Sequence, residues 1–228
     1  TILAVVLGFL GSSLRLLIPP SCIHFCWQLY HSRGILHPIK SSTLVEYQAK
    51  SWRRMQNPDH KIILQTERLF LRQLTMDDID LLSGIFADPV AMQHYPKTLN
   101  REETKAWIQT ILDNYEKYGA GMWACHLKTS GEFVGQVGIH FHPDVDGMFE
   151  VEVGYLLLKN HWHNGYATEA ARASINYARD KLGHKRIISL IKPENTPSRK
   201  VAERNGLVVE KEIEYKDVRC LVYLCPTE

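Results

Sequence analysis

The sequence predicts an α+β (mixed α/β) fold: one domain with a central, largely antiparallel, twisted sheet of about seven strands flanked by about four helices. Three observations predict it. Segments with apolar residues at helical spacing are interspersed with segments of strand-like character. Three strand candidates follow one another at 122–128, 133–142 and 148–158, parted only by short turn signals, which favours an antiparallel meander. The last of these runs through a glycine-bearing turn directly into a helix-forming stretch.

The elements follow in order. "ERLFLRQL" (67–74) reads as a strand. Thr75 and Asp78 form a capping-box pattern ahead of Ile79, Leu82, Ile85 and Phe86, a helix that Asp88-Pro89 closes. Asn100 and Glu103 repeat that signal ahead of Trp107, Ile108, Ile111, Leu112 and Tyr115, which share one apolar face, and Gly119 and Gly121 end the second helix. Plain core packing is the expected role of these aromatics. The meander turns at Ser130-Gly131 and between Pro143 and Gly147. A helix is expected from about Gly165 to Leu182, with the small residues Ala167, Ala170, Ala171 and Ala178 on the face that lies against the sheet. "KRIISLI" (185–191) is a strand, Thr196-Pro197 starts a short helix stopping at Gly206, and "LVVEKEIEY" and "RCLVYLC" are the last two strands.

Composition narrows the function. The net charge of +2 gives no general case for nucleic acid or an acidic membrane as partner. Five cysteines, Cys22, Cys26, Cys125, Cys220 and Cys225, are odd in number and irregular in spacing. That argues against a disulfide scaffold and for a reducing, cytoplasmic setting. His140, His142, His161 and His163 lack carboxylate or cysteine partners at ligand spacing, so no metal is expected.

Residues 1–54 differ from the rest. They carry a net charge of +5 with Glu46 as their one acidic residue, against −3 for residues 55–228. The apolar run 1–18 is interrupted by Arg15 and ended by Pro19-Pro20. It reads as a signal or anchor, as an organelle transit segment, or as translated upstream sequence with the protein proper starting at Met55. The charge break and the first methionine at Met55 favour the last reading. The domain is therefore expected over 55–228, with a core at about 65–224. A membrane association depends on residues 1–18 being genuine.

"HWHNGYATEA" (161–170) carries the functional signal. The first amides of a helix have no intrahelical partner and lie at the positive end of its dipole, and a glycine there lets the backbone approach a phosphate. From local features alone, phosphate binding competes with an ordinary helix start that has a glycine near its cap.

Together with "TERLFLRQLTMDDIDLLSGIFADPVAMQHY" and "NTPSRKVAERNGL", the stretch "EVGYLLLKNHWHNGYATEA" resembles the GCN5-related N-acetyltransferases (GNAT), in the branch of the RimJ/RimL ribosomal-protein acetyltransferases. The likeness runs from about Gln65 to Leu224. Trp162 stands where the general pattern has Gln or Arg, and Ala202 where the family often has a tyrosine acid. The resemblance implies direct acetyl transfer from acetyl-CoA to a primary amine, on a protein N-terminus or a small molecule, by a monomer or homodimer that needs no metal and no nucleic acid. It implies Glu152 as base and Ser198 near the sulfur as the catalytic pair. Leu156, Leu157 and Leu158 would hold the pantetheine through their backbone. His163, Asn164, Gly165, Tyr166, Ala167 and Thr168 would take the pyrophosphate, with Lys159 and His161 as added donors. Asn195 would bond the pantetheine arm, and Arg199 and Lys200 would meet the outer phosphate or simply be solvated. His94, Tyr95 and Trp123 would contact the amine. The ordinary alternatives are a solvated Glu152, and helix capping by Asn195 and Ser198, a job Thr196 could already do. The rival function is a non-catalytic acyl-CoA sensor on the same fold.

Overall fold

The computed structural model describes residues 61–226; the reading of residues 1–54 lies outside them. Eight strands form one sheet in the order β1-β2-β3-β4-β5-β6-β8-β7. They are β1 (Ile62–Gln65), β2 (Leu69–Gln73), β3 (Met122–Leu127), β4 (Phe133–Val145), β5 (Met148–Leu157), β6 (Ile188–Ile191), β7 (Val208–Tyr215) and β8 (Val218–Leu224). Every neighbouring pair is antiparallel except β5 and β6. Among the described residues four α-helices accompany them: α1 (Ile79–Phe86), α2 (Arg101–Tyr118), α3 (Tyr166–Asp180) and α4 (Thr196–Arg204).

All seven expected strands and all four helices are present. The eighth strand, β1, pairs with β2 at the sheet edge. The β4–β5 hairpin is longer than Pro143 suggested. Its turn sits at Asp146 and Gly147, both at positive φ, and a register irregularity between His142 and Val145 spans the proline, which has no amide to give the ladder.

Local chemistry sets the helix ends. In α2, Glu103 N donates to Asn100 Oδ1 at 2.9 Å while Asn100 N donates to Glu103 Oε2 at 2.8 Å, the reciprocal pair the sequence signalled. Asp78 does double duty ahead of α1. It accepts from Thr75 N at 2.9 Å and takes both Arg72 guanidinium nitrogens at 2.7 and 2.6 Å. Burial alone would raise its pKa, but the Arg72 bonds and charge hold it below the usual carboxylate value.

The sheet has a packed layer on each face. On β3 the parity is plain: Met122 and Ala124 join the core formed with α1 and α2, whereas Trp123 and Cys125 join the core formed with α3. The small face of α3 is buried as its sequence required, with Ala170, Ala171, Ile175 and Ala178 at most 3% exposed. Trp107 and Tyr115 of α2 pack and also bond. Trp107 Nε1 donates to Gln136 Oε1 at 3.1 Å, and Tyr115 Oη accepts from Leu74 N at 3.0 Å and donates to Met122 O.

Candidate active site

The cleft begins where the sheet comes apart. The parallel strands β5 and β6 pair at a single register position, Glu152 opposite Ile188. Beside it, side chains take over from the ladder: Ser189 Oγ donates to Val153 O at 2.8 Å, and Leu190 N donates to Glu152 Oε1 at 2.9 Å. β5 then continues toward α3 while β6 leads to α4. Between them lies a cleft of about 520 Å³. Its walls include Leu156 and Leu157 of β5, the first residues of α3, the first turns of α4, and His94 and Tyr95 from the α1–α2 loop. Tyr155 Oη reaches over and donates to Ser198 O of α4 at 2.8 Å.

β4 brings the end of β5 into place by close approach. Gly135 has φ 155°, and a Cβ there would lie 2.4 Å from Leu156 O and 2.6 Å from Leu157 Cα. Glycine is what lets the two backbones meet under the cleft floor. Leu158 N then donates to Val134 O at 2.9 Å, and Trp162 Nε1 returns to Leu157 O at 2.9 Å. Trp162, at the position where the general family pattern has Gln or Arg, thus anchors the turn to the strand it leaves.

The turn into α3 is shaped by two left-handed residues, His163 at φ 63° and Gly165 at φ 78°, the latter being the N-cap. Gly165 has no side chain to cap the helix, so the opening amides of α3 are left without a side-chain cap. Asn164 folds its amide back onto His161 O and Trp162 O at 3.2 and 3.0 Å. A second groove, of about 860 Å³, continues from this turn and is lined by Arg68, Asn164, Gly165, Arg172 and Arg204, among others.

Behind the cleft lining, within electrostatic reach of Tyr95 and Tyr155, lies a cluster of titratable side chains that includes the expected base Glu152. Glu152 Oε2 is 2.7 Å from His142 Nε2, and His142 Nδ1 is 3.1 Å from Tyr215 Oη. An ionised carboxylate only accepts, so Nε2 carries the proton, and the Tyr215 hydroxyl fixes the ring from its other nitrogen. Burial would push the Glu152 pKa up, but the His142 bond, the two histidines and Leu190 N outweigh it and hold the pKa below its ordinary value. His140, opposite Glu152 in the β4–β5 register, is pushed down to about 4, chiefly by burial. Tyr95 has 44% of its surface exposed, yet desolvation of its hydroxyl, aided by the Glu152 charge, pushes it up to about 12.

Comparison with known proteins decides what this architecture is. The acetyltransferase (GNAT) domain matches residues 68–208. The chain belongs to the GNAT acetyltransferase family. It is 35% identical to Bacillus subtilis (strain 168) YkkB over 154 residues, covering 67% of this chain and 89% of that one. It is 34% identical to the uncharacterized N-acetyltransferase p20 of Bacillus licheniformis over 151 residues, 65% and 83% of the two chains. Among solved structures, an acetyltransferase from Agrobacterium tumefaciens superposes with a TM-score of 0.65 at 32% identity, covering 72% and 94%. RimL, the ribosomal L7/L12 alpha-N-protein acetyltransferase in complex with coenzyme A, shares the fold at a TM-score of 0.61 and 18% identity, covering 73% and 98%.

In this GNAT domain most of the expected site residues converge. Leu156, Leu157, His163, Gly165, Tyr166, Ala167, Thr168, Asn195, Ser198, His94 and Tyr95 border the cleft, and Asn164 borders the adjoining groove. Two expectations are corrected. Trp123 is 1% exposed in the α3 core, edge-to-face with Tyr177 at 5.3 Å; strand parity turns it away from the cleft, so it does not contact an amine. Arg199 donates to Tyr223 Oη at 3.0 Å and Pro193 O at 3.1 Å, while Lys200 and Arg204 of the same helix border the cleft. Asn195, not Thr196, is the N-cap of α4, with its Oδ1 accepting from Ser198 N at 3.2 Å. Leu158 is held in the turn by its bond to Val134. Ala202, at the family's frequent tyrosine position, is 2% exposed.

The residues that sequence reading passed over are Thr66, Arg68 and Glu169 around the α3 turn and Tyr215 near Glu152; His142, weighed there only as a metal ligand, pairs with Glu152. Among the described residues no group of three or more His, Cys, Asp or Glu is placed to hold a metal ion, and no helix is long and apolar enough to cross a membrane.

Proposed function

We propose that this GNAT domain transfers an acetyl group from acetyl-CoA directly to a primary amine, on a protein N-terminus or a small molecule. The observation that carries the proposal is a cleft that opens at the capless, glycine-begun α3 terminus and is walled by Tyr95 and Tyr155, with the ionised carboxylate of Glu152 close enough to act on both. Acetyl-CoA supplies the acetyl group as a thioester. The opening amides of α3 suit its diphosphate, because unpaired N–H groups and the helix dipole both favour anions. The cleft between β5 and α4 suits the pantetheine, with the second amide hydrogens of Asn195 available as donors once its oxygen is used in the cap. Main-chain amides at the β5 end would meet the negative charge that develops on the thioester oxygen.

Glu152 takes a proton from the incoming ammonium, directly or through a water it orders, so that a neutral nitrogen attacks the carbonyl carbon. The C–S bond breaks as the C–N bond forms. The thiolate leaves with the electron pair and receives the second proton of the attacking nitrogen, relayed through a hydroxyl that gives one proton to sulfur as it takes one from nitrogen; Ser198 is our candidate, its main chain fixed by Asn195 and Tyr155. Solved proteins of this fold include one described as modifying the N-terminal serine of ribosomal protein L7/L12, and an α-amine is an acceptor of the chemistry Glu152 suits.

The test is a set of thiol-release assays with acetyl-CoA and a panel of amines, alongside calorimetric titration of CoA. Amine-dependent release of CoA, lost together with CoA binding in Gly165→Val, is the expected result. Binding without amine-dependent release from any member of the panel would turn the reading toward a sensor. Unchanged CoA affinity in Gly165→Val would remove the α3 turn as the anion site.

A further inference from the structure

Glu169 lies in the first turn of α3, and its carboxylate lines the same groove as His163, Asn164 and Gly165. A bare negative charge there would oppose any diphosphate seated on the α3 amides. The structure does not leave it bare. Its Oε1 accepts from Thr66 Oγ at 2.6 Å and from Arg68 N at 2.9 Å, and its Oε2 accepts from Arg68 Nε at 2.7 Å. All three donors come from the link between β1 and β2. The same guanidinium donates to Asn164 O at 2.9 Å and lies 4.7 Å above the Tyr166 ring. A Cβ on Gly165 would come to 3.4 Å from Arg68 Nη2. One arginine thus touches the residue before the N-cap, the first helical residue and the first-turn acid, and lies close beside the N-cap.

We propose that Thr66 and Arg68 form a neutralising clamp: they absorb the charge of Glu169 and hold the His163–Gly165 turn in the shape that receives the diphosphate of coenzyme A. Both are positioning residues, acting through Glu169 and the turn. The inference rests on the reading that the α3 turn is the diphosphate site. It explains why the edge strand β1 matters to a site it does not line: β1 presents Thr66 and Arg68 to α3. The Thr66 hydroxyl, which also accepts from Leu69 N at 3.0 Å, is fixed at both ends. The Arg68 side chain remains 44% exposed, so its partners rather than burial hold it.

The clamp makes a prediction of sign that a merely structural arginine does not. Without Arg68, Glu169 becomes an uncompensated anion beside the ligand, and neutralising it in turn must help. We expect Arg68→Met to weaken CoA binding on the order of tenfold, comparable to a first-turn charge effect in a partly buried setting. The kinetic loss should fall on KM for acetyl-CoA more than on kcat. The double variant Arg68→Met with Glu169→Gln should bind CoA more tightly than Arg68→Met alone. The ratio between those two affinities should shrink as salt is raised from 0.1 to 1 M, since the screening length falls from about 10 to about 3 Å.

The experiment is calorimetric titration of CoA onto the full chain for wild type, both variants and Gly165→Val, with thermal melting of each as the folding control. A double variant no tighter than Arg68→Met, or a ratio indifferent to salt, overturns the clamp. If Gly165→Val binds CoA like wild type, the diphosphate reading itself has failed. If Gly165→Val abolishes binding while Arg68→Met leaves it unchanged, only the clamp has failed.

Discussion

At the α3 end of the cleft the features that would meet a ligand are main-chain amides, shaped by left-handed backbone at His163 and Gly165 and braced from β1–β2. Around Glu152 they are titratable side chains gathered from β4, β5 and β7. The first end offers a fixed positive field that pH does not alter. The second offers charges whose values depend on one another: His142 holds Glu152 ionised, and Glu152 opposes the effect of burial on His140. The lesson is a division of labour. The end proposed for the co-substrate, which is the same for every member of a family of this kind, is built from backbone. The end proposed for the acceptor is built from replaceable side chains.

That contrast is open to direct attack. The largest expected effect is that of Glu152→Gln, which keeps the Leu190 bond but removes the charge. Turnover should fall on the order of a hundredfold or more, as for loss of a general base, with CoA affinity changed by less than about twofold. Equal losses in turnover and CoA affinity would mean that the two ends are not separable. A smaller effect is expected from His142→Asn. Because His142 lowers the Glu152 pKa, its removal should shift the acid limb of the kcat/KM profile upward; an unmoved limb would detach Glu152 from that limb. The smallest concerns stability. The unfolded His140 takes up a proton near its ordinary value of 6.5, but the folded one only near 4. Between those values the unfolded state binds more protons, so stability should fall as pH drops through this window. His140→Gln should flatten that slope in chemical denaturation measured at several pH values. A slope that persists would assign the effect to another group.

How much of this was legible in the sequence follows the same division. The α3 turn is contiguous: His163, Asn164 and Gly165 stand together, and helix-start chemistry is a local rule. The caps at Asn100 and Asn195 were likewise readable, though Asn195 rather than Thr196 took the second. The Glu152 end joins residues that no local pattern relates. His142 is ten positions from Glu152 and meets it through the hairpin register, and Tyr215 is 73 positions from His142. Trp123 was misplaced because period two says that neighbours face opposite ways, not which way the cleft lies. Of the pair Arg199 and Lys200, one residue apart and so turned about 100° on a helix, only Lys200 borders the cleft, joined there by Arg204. β1 escaped notice because four half-exposed residues carry no alternation to read.

The junction between β5 and β6 has a consequence of its own. Where Ser189 and Glu152 replace main-chain rungs, the separation of two strands is governed by side-chain reach. A sheet joined in this way parts without stranding its polar atoms, and the gauge of the resulting slot becomes a matter of how many methylenes stand at position 152.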